Sequence, residues 1–239
     1  MTMTSSPPTQ IERSPATDPL VLRGVTKSYR TSRETTSVLR DLDLDLHRGE
    51  ITCLLGASGS GKSTLISVIA GLVSVDSGSV VIDGQDASLL SDSQRAQLRA
   101  TKIGLVLQSG NLVPFLTAAE NVALAMRFAG SASPQALVSK LLDQVGVADR
   151  ADHLPRRLSG GEAQRVALAI ALANDPDVLL ADEAVGQLDS ATARQVLGTI
   201  RQACEQRGLA VLLVTHSDEV AALGSRIVRL DEGQLQVTR

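Results

Sequence analysis

The sequence predicts an α/β fold: a mostly parallel sheet, an antiparallel β layer beside it, and a helical subdomain inserted into the core. Three observations predict it. Four short runs rich in Val, Ile and Leu lie at 51–55, 103–107, 178–181 and 209–214, the pattern of strands buried on both faces of a parallel sheet. Each run leads into polar residues able to do chemistry: a glycine-rich stretch from Gly56, then Gln108, the pair Asp182-Glu183, and His216 after Thr215. Between 109 and 175 the helical signals dominate.

Taken in order, residues 1–19 are rich in Ser, Thr and Pro and hold no apolar stretch. They are expected to be a flexible tail, unsuited to be a secretory signal, before a single domain at 20–239. The segments 21–29 and 80–83, the latter before the turn residue Gly84, read as strands. The helix opening near Lys62 carries Leu65, Ile66, Ile69 and Leu72 on one face. Helices are expected at 118–128, 135–145 and 162–173, within a helical subdomain at about 109–175. Residues 226–234 read as a hairpin closing through Asp231-Glu232-Gly233; it is expected to join 21–29 and 80–83 in the antiparallel layer.

Composition narrows the function. The 239 residues are 43% hydrophobic and 21% charged, ordinary values for a globular chain that needs no disulfides. A net charge of −3 and 1% aromatic residues argue against nucleic acid as a partner, since such proteins need a basic footprint or stacking rings. Cys53 and Cys204 lack metal-ligand spacing and read as buried, inert thiols. No apolar run approaches the roughly 20 residues of a membrane helix. A cytoplasmic location is expected, with another subunit bringing the chain to a membrane.

Gly56-Ala57-Ser58-Gly59-Ser60-Gly61-Lys62-Ser63, followed by Thr64, matches the phosphate-loop pattern, and its strand–loop–helix setting marks a P-loop NTPase core. Glycines let successive backbone N–H groups face phosphate oxygens. Lys62 would neutralise the β- and γ-phosphates, the Ser63 hydroxyl would bind Mg²⁺, and the following helix would point its positive end at them. After the third apolar run, Asp182 would hold Mg²⁺ through its water shell and Glu183 would accept the proton of the attacking water.

Leu158-Ser159-Gly160-Gly161-Glu162 contains a capping box, Ser159 with Glu162, at a helix start. Two consecutive glycines there cost roughly 1 kcal/mol each relative to alanine. Close approach of an anion to the helix tip would explain them. A tip on a separate subdomain does not reach the phosphate loop of its own chain, so it is expected to complete a site in a second copy.

The order of these elements resembles the ABC ATPase family, from about Leu20 to Leu235. That resemblance implies that Tyr29 stacks on adenine, and that Gln108 touches Mg²⁺ and relays contact to a membrane partner. It implies that Ser159, Gly160 and Gly161 bind the γ-phosphate held by the opposite subunit, with Glu162 closing the motif. Asp189 would lie in the loop crossing the dimer interface, and His216 would hydrogen-bond the γ-phosphate. The implied partners are an integral membrane permease and a second, head-to-tail ATPase subunit, on the inner face of the membrane.

The stretches 83–86, 90–92, 108–116 and 121–124 are similar to the lipoprotein-release and macrolide-export type. The chain departs from the family pattern at Ala184-Val185 (where Pro-Thr is common), at Ile170 (for Arg), at Ala163 (for Gln) and at Ala57 (for Pro). Soluble ABC-type regulators usually carry two such domains or a long coiled coil, and neither occurs here.

Overall fold

In the computed structural model, which describes residues 18–30, 34–131, 135–184, 188, 190–222 and 224–238, the chain opens with β1 (Leu20–Arg30), β2 (Thr35–Leu46), β3 (Ile51–Leu55) and α1 (Lys62–Ile69). β4 (Ser77–Ile82), β5 (Gln85–Asp86), α2 (Asp92–Lys102) and β6 (Ile103–Val106) follow. Then come α3 (Ala118–Phe128), α4 (Gln135–Gln144), α5 (Gly160–Leu172) and β7 (Val178–Asp182). The chain ends with α6 (Ser190–Arg207), β8 (Ala210–Val214), α7 (Asp218–Ala221), β9 (Arg226–Asp231) and β10 (Gln234–Val237).

Two sheets form. One has the order β2-β1-β4-β5 and is antiparallel. The other has the order β10-β9-β3-β8-β7-β6 and is parallel from β9 to β6. Every residue of β3 and β8 is buried, because both faces of this sheet are covered. The period-2 alternation of a strand divides its side chains between the faces. Cys53, Leu179, Ala181, Val211 and Leu213 join the core under α3–α6. Leu54, Val178, Leu180, Leu212 and Val214 join the core formed with α1 and the antiparallel sheet. α1 is thus held between the two sheets, with Leu65, Ile66 and Ile69 buried as its apolar spacing requires.

Among the described residues three helices start on capping boxes, Ser91/Gln94, Thr117/Glu120 and Ser159/Glu162, each satisfying two backbone donors reciprocally. The signal for α2 stands in the sequence as Ser91…Gln94, with Asp92 in its first turn and Arg99 and Lys102 in its last; the sequence reading missed it. β2 and α6 were also missed.

Two expectations need correction. The hairpin at 226–234 is not in the antiparallel layer: β9 pairs parallel with β3, from Thr52↔Arg226 to Leu55↔Arg229, and β10 is the edge strand beyond it. An outer strand of a parallel sheet is half-covered, so its alternating burial imitates that of an antiparallel strand. The hairpin turn still touches the other sheet, where Arg40 N–H donates to Gly233 O at 2.8 Å. Leu72 does not extend the apolar face of α1; it is 53% exposed. The helix stops at Ala70 because Gly71 adopts φ 63°, and the Gly71 and Leu72 amides turn back to the Val68 and Ser67 carbonyls at 3.0 and 2.9 Å.

Residues 1–17 lie outside the described residues. Pro19 O already accepts from Asp83 N at 2.9 Å, and Asp18 Oδ1 lies 2.8 Å from His47 Nδ1.

Close packing sets the distance of α5 from the sheet. A Cβ on Gly104 would stand 2.5 Å from Ala171 O on that helix. Gly104→Ala is therefore expected to destabilise the fold by about 1–3 kcal/mol, read as a fall in the urea midpoint at unchanged m-value; an unchanged midpoint would contradict this packing.

Candidate functional site

The loop from Gly56 to Gly61 turns sharply between β3 and α1. A Cβ at Gly56 would fall 2.5 Å from Leu230 O and 2.6 Å from Ser60 Oγ, so no larger residue closes this turn. Gly61 takes φ 107° at the N-cap, and no side chain caps the amides of α1. Those first-turn donors face outward together with the positive end of the helix, an arrangement suited to an anion. Lys62 is 7% exposed, and its Nζ donates to Gly56 O at 2.9 Å and Ala57 O at 2.8 Å. The ammonium is thereby folded back into the loop. Ser60 Oγ is buried with no hydrogen-bond partner among the described residues, while Ala57, Ser58 and Gly59 are exposed. A polyanion satisfies this set of donors; the residues fit a nucleotide triphosphate.

The strand ends converge beside the loop. Ser63 Oγ lies 3.4 Å from Asp182 Oδ2, a long hydrogen bond. Asp182 has its carboxyl pushed up, first by burial and then by the neighbouring Glu183 carboxylate. A divalent cation would relieve both effects. The local donors are a hydroxyl, a carboxylate and the Gln108 amide, hard oxygens of the kind Mg²⁺ takes alongside water and phosphate. Among the described residues no group of three His, Cys, Asp or Glu could hold a metal without such help.

Glu183 adopts φ 50°, a left-handed conformation that costs on the order of 1–3 kcal/mol for a non-glycine residue. It is held there by its backbone N–H to Val214 O at 3.1 Å. Gln108 Nε2 donates to its Oε2 at 2.8 Å, and His216 Nε2 lies 2.7 Å from its Oε1. Thus Lys62, Ser63, Gln108, Asp182, Glu183 and His216, drawn from four strand ends, meet at one place.

The backbone just before Gln108 is fixed by Asn111, which the sequence offers only as part of the 108–116 stretch. Asn111 accepts from Leu107 N at 2.7 Å and donates to Leu107 O at 2.6 Å, as a neighbouring strand would. Asn121, buried in α3, accepts from Val113 N and donates to Val113 O, Leu116 O and Thr117 O. The loop after β6 is therefore stitched at both ends, with Phe115 left 77% exposed. An asparagine in a loop carries no spacing signal that would reveal this.

The tip of α5 is built differently. Ser159 Oγ accepts from Glu162 N at 3.2 Å, and Glu162 Oε2 accepts from Ser159 N at 2.7 Å. Arg150 Nε donates to Glu162 Oε1 at 2.7 Å. These bonds, the Ser159 backbone foremost, hold the Glu162 carboxyl down at about 2. A Cβ on Gly160 would meet nothing within 4 Å, whereas one on Gly161 would stand 3.0 Å from Thr192 Cγ2. Packing within the chain crowds Gly161 and leaves Gly160 open.

Gly160 lines a cleft of about 340 Å³ with Gln108, Asn111, Gln164, Glu183 and Leu188, and no phosphate-loop residue lines it. Tyr29 is 43% exposed at the end of β1, and Lys27 Nζ stands 5.7 Å from its ring centroid. Among the described residues no hydrogen bond ties Tyr29 to the strand-end group. Ala184 is buried; Val185 and Asp189 lie outside the described residues. Both thiols are buried and unpaired, with burial pushing Cys53 and Cys204 up to about 11.

Comparison with known proteins adds four findings. A family model described as ABC transporter matches residues 39–186. The chain is 42% identical to the lipoprotein-releasing system ATP-binding protein LolD 2 of Caulobacter vibrioides, over 92% of this chain and 97% of that protein. It is 40% identical to the macrolide export ATP-binding/permease protein MacB of Syntrophobacter fumaroxidans, over 92% of this chain but 31% of that longer protein. Among solved structures, the dimeric post-hydrolysis state of the ATP-binding cassette MJ0796 bound to ADP and Pi superposes with a TM-score of 0.86 at 37% identity, over 92% of this chain and 99% of that chain.

Proposed function

The chain belongs to the ABC transporter family, and from that premise we propose that it is the ATP-hydrolysing subunit of a transport complex, driving a separate membrane permease through ATP-dependent pairing. One observation carries this reading: the strand-end group lies against the phosphate loop, while Gly160 is left open on a tip that its own chain does not crowd.

In this reading the Gly56–Gly61 amides, Lys62 and the α1 N-terminus bind the triphosphate of one protomer, with Ser58, Ser60 and Thr64 in the same cradle. Ser63, Asp182 and Gln108 would hold Mg²⁺, which would supply positive charge for the phosphate oxygens. Glu183 accepts the proton of the attacking water, and His216 hydrogen-bonds the γ-phosphate. Ser159, Gly160 and Gly161, supported by Glu162, roof that nucleotide from the other protomer, and Tyr29 stacks on its base.

A triphosphate bridging two chains binds the closed pair more tightly than the open one, which is what a population shift requires. Hydrolysis removes that bridge and lets the pair open.

The permease contact is placed on the surface near 108–116. Phe115 and Phe128 are the protein's two phenylalanines, and both are exposed, at 77% and 69%. A groove of about 550 Å³ runs beside Phe128 between α2, β6 and α5. Large apolar side chains left in water suit a protein partner. Among the described residues no helix is long and apolar enough to cross a membrane. The reading therefore places the chain at the inner face through its permease, of the lipoprotein-release or macrolide-export type.

Pairing has a kinetic signature. In dilute protein with saturating ATP the hydrolysis rate should rise with the square of chain concentration, then become linear once pairs are saturated. A rate linear throughout, down to nanomolar protein, would refute a site shared between protomers.

A further inference from the structure

We propose that Arg150 is the positioning residue of the α5 tip: it fixes Glu162 and cancels its charge where that tip meets the triphosphate bound by the partner protomer. This rests on the paired reading above and extends it to a residue outside every motif.

The tip of α5 has a conflict built into it. Its free N–H groups and helix dipole favour an anion. Yet the capping box that makes the helix start places the Glu162 carboxylate in the first turn. That charge is fully developed at neutral pH, its carboxyl being held at about 2. A fixed negative charge beside the approach path of a triphosphate opposes the binding that the tip otherwise promotes.

Arg150 resolves the conflict. Its Nε donates to Glu162 Oε1 at 2.7 Å, while Oε2 is taken by the Ser159 amide at 2.7 Å. Both carboxylate oxygens thus accept hydrogen bonds from within the chain, and the nearest formal charge is positive. The Arg150 side chain is 37% exposed and that of Glu162 18%, so the guanidinium stays in contact with solvent while the carboxylate is mostly covered. Arg150 NH1 also donates to Asp149 Oδ2 at 2.6 Å, but the Asp149 side chain is 69% exposed and its charge is spread into solvent.

The guanidinium is firmly based. Arg150 N donates to Val147 O at 3.0 Å, and Arg150 O accepts from His153 N at 2.9 Å. The next residues take up the first turn of α3, with Ala119 N donating to Ala151 O and Ala118 N to His153 O, each at 2.9 Å. Arg150 therefore places the α5 tip relative to α3, the helix that follows the exposed Phe115 loop.

The test uses the full chain carrying Glu183→Gln, in which ATP-dependent pairs accumulate and can be measured by light scattering. Adding Arg150→Ala is expected to raise the ATP concentration for half-maximal pairing about tenfold, the scale of a lost charge-assisted hydrogen bond. Arg150→Lys should raise it about threefold, because the charge stays but the Nε geometry is lost. When Glu162→Gln is also present, Arg150→Ala should cost less than about twofold, since the charge it cancels is gone. Binding of a fluorescent ATP analogue to dilute, unpaired chains should be the same with and without Arg150.

An undiminished tenfold deficit in the Glu162→Gln background would overturn the proposal, leaving Arg150 a packing residue. So would equal ATP demand with and without Arg150. If the Glu183→Gln chain itself never pairs with ATP, the shared site falls and the role of Arg150 with it; normal pairing that ignores Arg150 defeats this inference alone.

Discussion

Lys62→Ala should lower the ATP hydrolysis rate by on the order of 10²–10³, the usual loss when one preorganised charge contact on a phosphoryl group is removed. The geometry makes this side chain hard to replace. Its Nζ is held inside the loop by the Gly56 and Ala57 carbonyls, and its surroundings are nearly dry at 7% exposure. A charge in such a place interacts with phosphate far more strongly than one in water. The substitution also removes two hydrogen bonds that brace the loop, so ATP affinity should fall together with the maximal rate. Steady-state hydrolysis and binding of a fluorescent nucleotide read the two effects separately. A rate within tenfold of the parent would contradict the assigned role.

Glu183→Gln should separate binding from chemistry. Loss of the assigned general base is expected to slow hydrolysis by about 10²–10⁴, while ATP still binds and the pair persists. The amide is nearly isosteric, and the left-handed backbone at 183, tied to Val214 O, should keep its place. A second effect follows from electrostatics. The Asp182 carboxyl is pushed up by burial and by Glu183; removing the Glu183 charge should let it fall toward its ordinary range. A ¹³C-carboxyl NMR titration of labelled protein would show this as a lower Asp182 midpoint in the variant. An undiminished hydrolysis rate would refute the base assignment, and an unmoved or raised Asp182 midpoint would refute the coupling between the two carboxylates.

The sequence made some parts of this molecule legible and hid others, for physical reasons. The runs at 51–55, 103–107, 178–181 and 209–214 correspond within a residue to β3, β6, β7 and β8, because strands covered on both faces must be apolar throughout. The helices expected at 118–128, 135–145 and 162–173 correspond to α3, α4 and α5. β9 was misplaced because a half-covered outer strand alternates like an antiparallel one. Leu72 was misplaced because the turn at Gly71 lies in one backbone angle. α2 was missed although Ser91 and Gln94 announce it, and β2 because only its Leu face is buried while Asp and Arg alternate on the other, so it shows no continuous apolar run.

Residue type and spacing alone were enough to nominate the phosphate loop, the Asp182-Glu183 pair, the Ser159–Glu162 tip and the family resemblance, because binding phosphate and metal demands particular groups at particular intervals. Only the folded chain decided that Gln108 and His216 both grip Glu183, that Asn111 fixes the backbone before Gln108, that Arg150 holds Glu162, and that Gly161 is closely approached while Gly160 is open. Those facts depend on pairs far apart in sequence or on loop side chains turned onto backbone. Local periodicity carries no record of such contacts, because they arise only when separate elements are packed together.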